Sequence, residues 1–194
     1  ENHTKIFFPS SFKHFGMLNF AVKNSFAACL LRNKGCLIHA SSSVIENKAV
    51  LFAGVSGQGK STIIRQLRRR CLADDRSIIR FIGNRPFVYG APFYEQHNFA
   101  KIRSKFPLGG IYLLKKKEIE KIKILKLSPP IALFKLLPHI VIREEGPFIG
   151  RRRQFKLALR ICRILAVSIP VYTISRSLSV PGSHLAKTIY DHLA

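Results

Sequence analysis

Apolar positions along the chain change period several times, and each change marks an expected element. Between residues 17 and 35, Leu18, Val22, Phe26 and Leu30 recur every fourth position, one face of a helix that Lys34 and Gly35 would cap. Short runs of strand character follow, "CLIHA", "SVIE" and "AVLFA", with a turn at Asn47-Lys48 before the last. From Lys60 to about Arg70 the period is again helical, with Ile63, Ile64 and Leu67 inward and Arg65, Arg68 and Arg69 outward. "RSIIRFIG" and "PFVYG", divided by Gly83-Asn84, predict a hairpin, and "GGIYLLKKK" and "KIKILKL" two more strands. Ser128-Pro129-Pro130 opens a helix, with Ser as N-cap and Pro129 at the first position, where no N–H is needed. The segment 148–167 predicts a longer helix, "PVYTISR" a strand and "GSHLAKTIYDHLA" a closing helix. No repeat or low-complexity linker breaks the series. The expectation is one domain over 1–194, mixed α/β, with a mixed sheet and flanking helices.

Composition narrows this little until charge is considered. A chain of 194 residues, 47% of them apolar, buries about 70% of its unfolded surface and needs neither disulfides nor metal to fold. Cys29, Cys36, Cys71 and Cys162 form no C-x-x-C pair and have no metal-like spacing with His, so they read as reduced core thiols of a cytoplasmic protein. No apolar run has the length of a membrane span. The sequence opens at Glu1 without a methionine, which is compatible with an upstream segment, a removed signal peptide included. "NHT" at 2–4 fits a glycosylation triplet, a pattern frequent by chance. Lys and Arg number 33 against 10 Asp and Glu, a formal charge of +23. Such a surface attracts polyanions: nucleic acid, anionic lipid or an acidic protein.

The chemistry concentrates at "AGVSGQGKST", residues 53–62. Gly54, Gly59, Lys60 and Ser61 satisfy G-x-x-x-x-G-K-[ST], the Walker A or P-loop pattern, between an expected strand and an expected helix. Glycines let the backbone close on a ligand, and the N–H groups of the turn then face an anion beside a helix N-terminus. Gly54, Ser56, Gly57, Gln58, Gly59, Lys60, Ser61 and Thr62 are therefore the expected nucleotide-binding residues. Lys60 would serve the β- and γ-phosphates, and Ser61 would offer a hydroxyl to Mg²⁺. Asp74 and Asp75 follow closely, where the helix is expected to give way to the next strand. One can hold Mg²⁺ and the other accept a proton from an attacking hydroxyl; a solvated Asp turn is the plainer alternative.

The stretch "GCLIHASSSVIENKAVLFAGVSGQGKSTIIRQLRRRCLADD", residues 35–75, resembles the HPr kinase/phosphorylase-related family, whose nucleotide domain is related to phosphoenolpyruvate carboxykinase. Weaker echoes are "YGAPFYEQ" (89–96), "PLGGIYLL" (107–114), "LSPPIALFKLLPHIV" (127–141) and "PVYTIS" (170–175). The resemblance implies that fold, with ATP and Mg²⁺ as cofactors. It implies that Lys60 and Ser61 meet phosphates and metal, and that Asp74 and Asp75 divide the roles of base and metal neighbour, with Ser61 and Asp75 as the metal pair. His39 corresponds to a strand histidine near the family's site, though a lone His between Ile38 and Ala40 is more often a core residue. The separate N-terminal regulatory domain and the glycine-rich signature of HPr kinases have no counterpart here. The implied acceptor is accordingly a serine-like hydroxyl on a small molecule, peptide or protein, and oligomers occur in the family.

Arg153, Lys156, Arg160 and Arg163 form a basic stripe, with Phe155, Leu159, Cys162 and Ala166 on a neighbouring face. The stripe is either a solvated face or a dock for an acidic peptide or protein substrate. Arg76, Arg103 and Arg143 are candidates for stabilising transferring charge, with no motif behind them. The expected function is thus an ATP- and Mg²⁺-dependent kinase. The alternative is a nucleotide-gated basic protein that binds nucleic acid or an anionic surface without transferring phosphate; basic and aromatic residues are not interleaved as RNA-recognition motifs require.

Overall fold

Two long strands organise the sheet. In the computed structural model, which describes residues 15–55, 57–66, 70–91, 104–116, 122–142, 148–176 and 182–193, β1 (Gly35–Ile45) and β6 (Lys105–Lys116) each pair with different neighbours at their two ends. β1 pairs antiparallel with β4 (Arg76–Ile82) through its first half, and with β2 (Lys48–Ala53) and β3 (Cys71–Ala73) through its second. β6 starts antiparallel to β5 (Arg85–Tyr89), then runs parallel to β2 and to β8 (Val171–Arg176). β7 (Lys123–Lys126) closes the edge against β8. The result is an eight-stranded mixed sheet.

Helices cover both faces. Alternate residues of β2 and β6 serve opposite cores, as strand geometry dictates. Leu51 and Ile111 face a cluster with Leu31 of α1 (Phe15–Arg32), Leu136 of α3 (Pro129–Leu136), and Ile161 and Leu165 of α4 (Phe148–Ser168). Phe52 and Tyr112 face the other cluster, with Ile63 and Ile64 of α2 (Lys60–Gln66) and Leu185 and Ile189 of α5 (Gly182–Leu193). The mixed α/β class with flanking helices is as the periodicity predicts.

Several local expectations are corrected. "CLIHA" and "SVIE" belong to one strand, because the intervening serines find partners: Ser43 donates to the Arg70 carbonyl at 3.0 Å, and Ser77 lies 2.8 Å from the Ala40 carbonyl and 2.8 Å from the Ser42 hydroxyl. The turn into β2 is Glu46-Asn47, both at positive φ, and Lys48 already belongs to the strand. Lys34 (φ 53) is the left-handed residue after α1, whereas Gly35 opens β1, where a Cβ would meet the Ile79 carbonyl at 2.6 Å. Leu18 and Val22 are exposed; α1 buries Ala27, Leu30 and Leu31, the face that meets β1 and α4. α2 is described to Gln66, Leu67 to Arg69 lie outside the described residues, and exposed Arg70 is no longer helical. In α4 the inward face runs through Ala158, Ile161, Cys162 and Leu165, so Phe155 and Leu159 lie exposed beside the basic stripe. Ser128 stands at the N-cap of α3 with extended backbone, but its side chain makes no capping bond. Cys29 is exposed, unlike the other three cysteines, and all four are free thiols.

Candidate active site

The loop after β2 is shaped by its glycines. Gly57 and Gly59 have φ of 80° and 87°, conformations that cost a side chain energy. A Cβ on Gly54 would lie 2.5 Å from Gln58 Oε1, which instead accepts from the Val55 N–H at 3.2 Å. The Gln58 N–H donates to the Val55 carbonyl at 3.3 Å, closing the turn. Lys60 begins α2, and the Ile63 N–H donates to the Gly59 carbonyl at 3.1 Å. Thr62 lies on the same helix. Ser61 is its second residue, and Ser56 falls outside the described residues.

Lys60 links this loop to β1 and the Asp pair. Its ammonium, 7% exposed, donates to the Gly54 carbonyl at 2.6 Å. It also lies 3.4 Å from His39 Nε2 and 3.8 Å from Asp75 Oδ1. On the other side of the ring, His39 Nδ1 is 3.2 Å from Asp75 Oδ2. A lysine can only donate, so Nε2 accepts and an Nδ1–H tautomer satisfies both contacts, donating to the carboxylate. Lys60, His39 and Asp75 thus form one hydrogen-bonded chain across β1.

The Asp pair is not at a helix-to-strand junction, as the sequence suggests. It fills the turn between β3 and β4, because β3 intervenes after α2. β-Register explains its position: Ala73 pairs with Ser42 and Arg76 with His39, so the turn between them stands over the strand carrying His39. Asp75 is 23% exposed and sits 4.0 Å from Arg76 Nε as well, whereas Asp74 is buried at 4%. Of the three arginines singled out, Arg76 is at the site; Arg103 and Arg143 lie outside the described residues.

The sequence reading missed His139. It ends a short 3₁₀ turn, Leu137–His139, after α3. The next residue, Ile140, bridges Ile38 in antiparallel sense, and the Val141 N–H donates to the Leu37 carbonyl at 2.8 Å. That register sets His139 opposite His39. Partial burial, then the nearby His39 and Lys60, hold the His139 imidazole below its ordinary pKa. The only signal available in sequence was "LLPHIV", within one of the weaker family echoes.

The residues fit phosphate and Mg²⁺ in kind: a loop in which a Cβ at Gly54 would press on Gln58, positive φ at two glycines, one buried lysine and one partly open carboxylate. Mg²⁺ commonly takes one or two carboxylates and completes its shell with phosphates and water. Among the described residues no group of three or more His, Cys, Asp or Glu could hold a metal alone.

No family model matches the chain, and no curated protein does. Among solved structures, the chain is similar to the Hpr(Ser) kinase/phosphatase from Coxiella burnetii, with a TM-score of 0.46 and 13% identity, over 80% of this chain and 95% of that one. Such values describe a distant likeness of overall shape.

Proposed function

We propose that this chain is an ATP- and Mg²⁺-dependent kinase that transfers the γ-phosphoryl group to a serine-like hydroxyl on a small molecule, peptide or protein. The observation that supports the reading most is the position of Lys60: it belongs at once to a complete phosphate-loop motif and to the chain with His39 and Asp75. A loop that merely turned a corner would have no need of that connection.

In this scheme the N–H groups of residues 54–62 bind the phosphates and Lys60 meets the β- and γ-oxygens. Lys60 exchanges its carbonyl and imidazole neighbours for phosphate oxygens and so reports occupancy to His39 and Asp75. Asp75 is the carboxylate of the pair that a substrate hydroxyl reaches, and it takes the proton as the oxygen attacks in line. His39 orients that carboxylate, and buried Asp74 supports the turn. Ser61 is the residue that would hold Mg²⁺ directly, with Asp75 its neighbour through water, and the ion would neutralise charge on the phosphate oxygens. Arg76 adds positive charge on the side of Asp75.

The test is transfer of label from γ-labelled ATP with Mg²⁺, with free serine, serine-containing peptides, an HPr-like protein and water as acceptors. Asp75→Asn should retain nucleotide and lose transfer, and Lys60→Met should lose both. Normal transfer by Asp75→Asn would refute the mechanism.

A further inference from the structure

The helical layer opposite α2 has an outer surface of unusual chemistry. Among the described residues, eleven large apolar side chains are exposed, and seven of them lie on α1, α3 and α4. Phe134 on α3 is 73% exposed and Val167 on α4 is 71% exposed. All three helices contribute buried residues to the same core and α1 and α3 both contact α4, so they form one layer on one side of the sheet. None of the three contains an aspartate or glutamate. α4 adds exposed Arg152, Arg153, Lys156, Arg160 and Arg163. At helical spacing, Phe155 and Leu159 border this arc and Val167 lies within it.

We propose that the outer face of α1, α3 and α4 docks onto an anionic lipid bilayer as a peripheral surface. Headgroup phosphates and carboxylates complement the cations, and the boundary with the acyl chains takes the apolar side chains between them. Lysine and arginine stems are long enough to lie along that boundary with their charges in the headgroups. A nucleic-acid backbone would satisfy the cations but leave Phe134 and Val167 in water. Contact is with the surface only, because among the described residues no helix is long and apolar enough to cross a membrane. The candidate active site depends on α2, which packs on the other face of the sheet, so docking and the proposed transfer are separable.

The experiment is flotation of the full chain with vesicles of phosphatidylserine and phosphatidylcholine, against vesicles of phosphatidylcholine alone. Three proteins are compared: the parent, Lys156→Gln with Arg160→Gln, and Phe134→Ser with Val167→Ser. All replaced side chains are exposed, and thermal unfolding checks that each variant is folded. Retention of an RNA oligonucleotide is measured on the same proteins. The parent should float with the anionic vesicles only. Each charge removed should lower partition about fivefold, and the serine pair should lower it roughly tenfold while leaving RNA retention unchanged. Absence of flotation with anionic vesicles would overturn the proposal. So would flotation that the serine pair leaves intact, since the face would then be a general polyanion surface.

Discussion

Gly54 is a position where one added carbon has a foreseeable effect. Its Cβ would meet the Oε1 end of Gln58, which can move, so Gly54→Ala should fold but open the Val55–Gln58 turn and weaken nucleotide retention in equilibrium dialysis. Gly59→Ala is different in kind: at φ 87° it should cost about 1–2 kcal/mol in chemical denaturation, whatever the ligand. His139 carries a pH prediction. Its folded pKa lies below the unfolded value, so the unfolded chain binds the extra proton first as pH falls. Its contribution is neutral above about 6.5 and turns destabilising as pH drops towards the folded pKa. Stability of the parent should therefore decline through that window, and His139→Gln should flatten the decline; an identical decline in the variant would contradict the assignment. The glycine-shaped turn and the start of α2 at Lys60 were legible in sequence because both are set by local backbone chemistry. His139 was not, because only a bridge between Ile38 and Ile140 brings it to His39.

At the scale of elements, sequence pattern located most helices and strands but misjudged their faces and joints. Three consecutive serines, polar residues that a strand core ordinarily rejects, divide β1 in the sequence pattern. Their hydroxyls find partners there: Ser41 the Phe52 carbonyl, Ser42 the Ser77 hydroxyl and Ser43 the Arg70 carbonyl. The fourfold spacing in α1 and the four-three-four spacing in α4 mark apolar stripes without saying which neighbour each helix meets. In α4 the burial is unambiguous: Leu165→Ala should cost about 2–5 kcal/mol, whereas Val167→Ser should stay within about 0.5 kcal/mol of the parent. The thiols follow the same logic. Cys29 should react quickly with a thiol reagent in the native state. Cys36, Cys71 and Cys162 should wait for unfolding, and burial pushes the Cys162 thiol up to about 12. Fast modification of two or more thiols in the folded protein would contradict this packing.

Across the whole molecule, the sheet separates two kinds of surface. One face carries α2 and the glycine-rich loop before it, with the Lys60–His39–Asp75 chain where β1, β2 and the Asp turn meet. The other carries basic and apolar helices without a carboxylate. The charge of +23 favours polyanions in general and does not say which face would meet one. Substitutions on α4 should accordingly leave nucleotide affinity unchanged. The proposed phosphoryl transfer is tested with γ-labelled ATP and Mg²⁺, the parent and Asp75→Asn side by side, against the panel of hydroxyl acceptors. The parent should label a hydroxyl acceptor and the variant none, both proteins retaining nucleotide. Equal labelling by the two, or a parent that does not bind ATP, would contradict the proposal.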